Sequence, residues 1–90
     1  MTSSNFKIVV DTQAERDLKK IKKQNNPILI RLIKAIDNLK YEPYQAKPLS
    51  GSKKGCYSIR AGDYRIIYEI HIKEYTVHVI TAGHRKEIYR

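Results

Sequence analysis

The sequence predicts an α+β domain in which an N-terminal strand and an α-helical hairpin precede an antiparallel β-meander. Three observations predict it. Apolar residues recur at helical spacing from Thr12 to about Lys40, and from Cys56 they alternate with period two. Between the two regimes lies a stretch punctuated by Pro43, Pro48, Gly51 and Gly55. Ninety residues have room for a single domain, 1–90, with one modest core.

Phe6–Val10 (FKIVV) reads as a short strand. Asp11-Thr12 then starts a helix, and Thr12-x-x-Glu15 has capping-box spacing, with Thr12 placed to accept the Glu15 N–H. Ala14, Leu18 and Ile21 repeat at helical spacing. Lys19, Lys20, Lys22 and Lys23 fill the other positions, and a solvated helix face accounts for them better than a nucleic-acid stripe. Gln24–Pro27 breaks the pattern, with Asn26 as N-cap and Pro27 at the first helical position. Leu29, Leu32, Ile33, Ile36 and Leu39 form the apolar stripe of a second helix, antiparallel to the first.

Tyr41–Gly55 is irregular and carries Lys47, Lys53 and Lys54, the last two being candidate contacts to a phosphate backbone. From Cys56, Tyr57 and Ile59 alternate with Ser58 and Arg60. Tyr64, Ile66, Tyr68 and Ile70 alternate with Arg65, Ile67 and Glu69. Gly62-Asp63 signals a two-residue hairpin loop with glycine first. A third strand is expected at about Tyr75–Thr81.

The net charge of +9 comes from 18 basic and 9 acidic side chains. Residues 1–46 hold 9 basic against 5 acidic, and residues 47–90 hold 9 against 4, so the excess covers the whole domain. It suits a polyanion or an acidic protein partner, and also an ordinary basic protein. Cys56 is the single cysteine, which rules out an internal disulfide and a cysteine-based zinc site and points to a reducing compartment. At the head of a strand it reads as a half-buried thiol. Met1–Lys7 shows no signal peptide, and no apolar run nears the ~20 residues of a membrane span, so a cytoplasmic protein without a membrane partner is expected.

The register of the predicted hairpin has a chemical consequence. A two-residue loop pairs Ala61 with Tyr64, Arg60 with Arg65, Ile59 with Ile66 and Tyr57 with Tyr68. Tyr57, Ile59, Ile66, Tyr68 and Ile70 then share the face that packs under the helices. Ser58, Arg60, Arg65, Ile67 and Glu69 share the other. Like charges directly opposite one another destabilise a hairpin. A bound anion turns the fault into a site, and such rule-breaking is expected where function overrides folding. Neutralisation by Asp63 and Glu69, or a register shift, is the alternative. Gly83 permits a bend after the third strand that turns His84 or Arg85 toward the sheet, with Tyr89 four residues beyond. His71, His78 and His84 have no metal-ligand spacing, and neither a metal nor another cofactor is expected.

The element order, the Leu49-Ser50-Gly51 loop end, the run Gly55-Cys56-Tyr57-x-Ile59-Arg60-x-Gly62-Asp63-Tyr64-Arg65-Ile66-Ile67-Tyr68 and the ending Ala82-Gly83-His84-Arg85-x-x-x-Tyr89 resemble the RelE/ParE superfamily of bacterial and archaeal toxins. The resemblance covers nearly the whole chain and implies a compact fold of the microbial-RNase type. Its RelE branch consists of ribosome-dependent messenger-RNA interferases neutralised by a RelB-like antitoxin. Its ParE branch poisons DNA gyrase and tends to lack the basic set. The resemblance favours the RelE branch. A ParE-like gyrase poison and an inactive antitoxin-binding homologue are the alternatives.

By that resemblance Arg65 falls on the strand arginine that contacts the scissile phosphate, Arg85 on the C-terminal arginine and Tyr89 on the C-terminal tyrosine. Arg60 and Ser58 fall where well-studied members carry lysines, the first proposed as general base. Arginine stays protonated at ordinary pH, so Arg60 suits phosphate binding and not the base role. Histidine as a residue type suits proton transfer at neutral pH, so His84 is a candidate base, with Lys53 and Lys54 weaker ones. The implied reaction is in-line attack by an RNA 2′-OH on the adjacent phosphorus, with departure of the 5′-oxygen and a 2′,3′-cyclic phosphate left behind. Arg60 and Arg65 would hold the phosphate, Arg85 with His84 would serve the leaving oxygen, and Tyr89 would stack on a base or orient the 2′-OH.

Overall fold

Lys7–Val10 forms strand β1, and the chain turns directly into helix α1, Thr12–Gln24. The computed structural model describes residues 5–45, 47–48 and 55–88. Asp11 caps α1: its Oδ2 accepts the Gln13 N–H at 3.2 Å, and its backbone carbonyl accepts the Glu15 N–H. The cap is therefore one residue earlier than the Thr12 capping box anticipates. An aspartate at this position also sets a negative charge against the positive end of the helix.

Asn25 alone links α1 to α2, Asn26–Asn38. Its N–H closes the last turn of α1 on the Ile21 carbonyl, and its Oδ1 accepts the Ile28 N–H at 3.2 Å. The cap of α2 is thus Asn25 and not Asn26, with Pro27 in the first turn, where its missing N–H costs nothing. On the two helices Ala14, Ile21, Leu32 and Ile36 are buried, as is Leu39 at the C-cap of α2. Ile33, which the stripe assigns to the core, is 47% exposed, and Ile30 beside it 49%. The apolar face of α2 is wider than the sheet beneath it can cover.

After a 3₁₀ turn at Pro43–Gln45, the two-residue strand β2, Lys47–Pro48, pairs with β3, Cys56–Ala61. Period-two reasoning could not find a strand so short. Strands β4, Tyr64–His71, and β5, Thr76–His84, follow, and Arg85–Ile88 forms a single helical turn, α3. Among the described residues the sheet has the order β1-β5-β4-β3-β2. β1 runs parallel to β5, and the other pairs are antiparallel. The meander is therefore the antiparallel part of a mixed sheet.

The β3–β4 register is the expected one, from Tyr57 opposite Tyr68 to Ala61 opposite Tyr64. β5 runs three residues past the expected Thr81, to His84, and a bulge shifts its register opposite Ile67 and Tyr68. Ile66, Tyr68, Val77, Val79 and Ala82 complete the core with the helices. Tyr68 is fully buried and stacks on Tyr57 with centroids 5.7 Å apart. Its hydroxyl donates to the Pro43 carbonyl at 2.6 Å, and burial pushes its pKa well above the ordinary phenol value. That bond ties the irregular connection to the middle of the sheet.

Two substitutions test these anchors by denaturant unfolding. Tyr68→Phe leaves the buried Pro43 carbonyl without its donor and is expected to cost about 1–3 kcal/mol. Asn25→Ala removes the α2 cap and is expected to cost about 1 kcal/mol.

Candidate nucleic-acid interface

The β3–β4 hairpin builds the arginine pair. Gly62 takes φ 61° at the first position of the Gly62-Asp63 loop. Residues closing a two-residue loop form a hydrogen-bonded pair, so the next pair out is the closer type, with Cα atoms about 4.5 Å apart. That pair is Arg60 and Arg65. Both lie on the face of the sheet away from the helices. Arg60 is exposed and Arg65 half-buried. On its other side Arg65 faces Gly83 of β5, which brings no side chain against it.

Arg85 stands at the tip of the same hairpin. Its backbone N–H donates to the Asp63 carbonyl at 2.8 Å, and its Nε lies 4.0 Å from Asp63 Oδ1. Three guanidinium-bearing residues thus gather at one end of the hairpin, with Asp63 beside Arg85. Glu69, four residues further along β4, is engaged with His71 at 3.2 Å.

Gly83 does not act as a bend. The positive φ values among described glycines belong to Gly55 and Gly62, and Gly83 is a strand residue. The chain turns only at Arg85, and this decides where His84 goes. His84 pairs with Tyr64, whose side chain belongs to the helix side of the sheet. The two rings meet edge to face at 5.3 Å, and Tyr64 Oη reaches Gln24 Oε1 at 3.5 Å. His84 Nδ1 accepts the Lys86 N–H at 3.2 Å, so the neutral imidazole carries its proton on Nε2. The fold thus brings Arg60, Arg65 and Arg85 together and leaves His84 on the opposite face. Ser58 is only 7% exposed, too buried for ready contact with a substrate. Lys53, Lys54 and Tyr89 lie outside the described residues.

Two other features escaped the sequence reading. A cavity of about 310 Å³ lies between α1 and β5, lined by residues that include Asp17, Gln24, Thr81 and Gly83. Asp17 Oδ2 crosses it to accept from Thr81 Oγ1 at 2.6 Å and from the Ala82 N–H at 3.1 Å. The second feature is a meeting of side chains on β4 and β5. Pairing of Glu69 with His78 across β4 and β5 brings Glu69, His71 and His78 together, although their spacing along the chain gives no hint of it.

Comparison with known proteins fixes the family. The family described as ParE toxin of type II toxin–antitoxin system, parDE, matches residues 8–89. The chain belongs to the RelE/ParE family of type II toxins. It is similar to Toxin RelG of Mycobacterium tuberculosis, with 37% identity over 81 residues, 88% of this chain and 90% of that protein. The toxin–antitoxin complex RelBE2 of the same organism contains a chain with TM-score 0.78 and 31% identity, covering 93% of this chain and 95% of that one. The archaeal RelE–RelB complex of Pyrococcus horikoshii contains a chain with the same fold, at TM-score 0.73 and 24% identity over 90% of this chain and 96% of that one. This type II toxin thus presents its arginine pair on a fold shared with these structures.

Replacing one arginine of the pair tests what the like-charge contact costs the fold. In the toxin, Arg60→Thr removes a like-charge contact and supplies a good strand former. Its expected stability is unchanged or higher by about 0.5 kcal/mol, measured by urea unfolding. Its affinity for RNA, measured by fluorescence anisotropy at fixed salt, is expected to fall.

Proposed function

We propose that this toxin is a metal-independent endoribonuclease that cleaves messenger RNA on the ribosome and so inhibits translation. The observation that carries the reading is Arg60 directly opposite Arg65 on the helix-free face, with Arg85 at the same hairpin tip. Like charges directly opposite one another are unfavourable in a hairpin. A phosphodiester compensates both, since guanidinium forks match phosphate oxygens bidentately. The similarity to RelG and to the RelBE2 toxin chain supports the RelE-like branch.

In this reading the RNA supplies its own nucleophile, the 2′-OH, which attacks the adjacent phosphorus in line and displaces the 5′-oxygen. Arg65 and Arg60 hold the non-bridging oxygens and stabilise the charge that grows on them. Arg85 stands beside the leaving oxygen. Tyr89 stacks on a base or orients the ribose. The base role passes away from His84, whose ring lies on the helix side with Nδ1 occupied. His84 instead holds the β5–α3 corner that presents Arg85. Most of the rate then comes from orientation and charge stabilisation, with the ribosome shaping the RNA.

The second partner in this reading is a RelB-like antitoxin with an acidic segment suited to a chain of net charge +9. The relatives crystallised as RelBE2 and as the archaeal RelE–RelB complex support it.

The test is to map messenger-RNA ends after induced expression, with and without ongoing translation. Cuts within translated codons that vanish when translation is blocked are expected. Arg65→Ala is expected to fold normally and to lose growth arrest and cleavage by at least 100-fold, on the order of one lost transition-state contact. A folded Arg65→Ala variant with full cleavage would sink the assignment. Intact messenger RNA with DNA double-strand breaks would instead favour the gyrase-poison reading that the ParE name of the matched family brings.

A further inference from the structure

His71 and His78, on either side of the Ile72–Glu74 turn, meet on the helix-free face at the end of the sheet away from the arginines. Their ring centroids are 5.9 Å apart. His71 Nε2 lies 3.2 Å from Glu69 Oε1, and one ligand atom from each of Glu69, His71 and His78 falls within 4.8 Å of the other two. Ligands bound to zinc at about 2.0–2.2 Å stand about 3–3.5 Å apart, so one pair already has the spacing. Small rotations of half-exposed side chains bring in the third.

The backbone fixes this set. Glu69 and His78 are direct cross-strand partners, and His71 is two residues on from Glu69, hence on the same face. Asp11 adds a carboxylate: Oδ2 is held by the α1 cap, and Oδ1 lies 3.4 Å from His78 Nε2. A carboxylate against a ligating imidazole fixes its tautomer and orientation. Two histidine–carboxylate ion pairs are the plainer account. Those pairs, His71 with Glu69 and His78 with Asp11, leave unexplained why both imidazoles also stand within 4.8 Å of the same Glu69 carboxylate.

We propose that Glu69, His71 and His78 bind a divalent transition-metal ion, and that zinc matches the set best. Two imidazole nitrogens and one carboxylate oxygen suit its borderline softness. The ion would keep at least one position for water, facing a shallow depression of about 380 Å³ beside Val9 and Thr76. It joins β4 to β5 next to the β1–α1 junction. Four residues along β4 separate Glu69 from Arg65, about 13 Å at strand rise, so the ion clamps the sheet and does not touch the phosphate site. The proposal is independent of the RNA reading.

Zinc chloride titrated calorimetrically into the chelator-stripped chain tests it, with thermal unfolding alongside. One ion per chain, a micromolar dissociation constant and a melting temperature raised by several degrees are expected. Glu69→Gln and the double variant His71→Ala/His78→Ala should each bind at least tenfold more weakly, with circular dichroism unchanged. Cys56→Ser and His84→Ala should bind like the parent. Equal binding by the parent and the double histidine variant overturns the proposal. So does absence of binding at millimolar zinc, or loss of binding in Cys56→Ser or His84→Ala.

Discussion

The two-residue loop at Gly62-Asp63 is the constraint on which the rest depends. Side chains in a strand alternate between faces, so a shift of one residue in this hairpin would move Tyr57, Ile59, Ile66 and Tyr68 out of the core. The same shift would bury the arginines. The loop needs glycine for its backbone conformation, and the space at that position is also tight. Gly62 has φ 61°, and a Cβ built there would sit 3.2 Å from Ile28 Cδ1 of α2. Backbone conformation and helix packing thus fix one register together. Arg60 opposite Arg65 is a consequence of that register, and the stacking of Tyr57 on the buried Tyr68 helps hold it against the repulsion.

A second joint sits where β1 ends. β1 pairs with β5 only as far as Val10 opposite Val79. Past that point α1 takes over the edge of β5, and Asp17 accepts the Ala82 N–H and the Thr81 hydroxyl. The bulge in β5 falls at the same place. A carboxylate that reads as helix-surface charge in the sequence therefore finishes a sheet edge. Because β5 is held there, it continues straight to His84, places Gly83 beside Arg65 and delivers Arg85 to the hairpin tip. The lysines of α1 are exposed, while Arg60, Arg65 and Arg85 collect where the register and this joint direct them.

By itself the sequence determined the architecture and one half of the candidate site. Period-3.6 and period-two patterns gave the helices and the hairpin strands, and the Gly-Asp loop gave the pairing of Arg60 with Arg65, because local spacing dictates both. Cap positions were off by one residue, since Thr12 and Asn26 have neighbours, Asp11 and Asn25, that cap as well. Tertiary structure decided the remainder. The parallel pairing of β1 with β5, the edge strand Lys47–Pro48 and the exposure of Ile33 all depend on contacts between distant segments. So do the placement of His84 against Tyr64 and the meeting of Glu69, His71 and His78. The register between β4 and β5 passes through a bulge and a 3₁₀ turn, and no periodicity along the chain counts residues across those two irregularities.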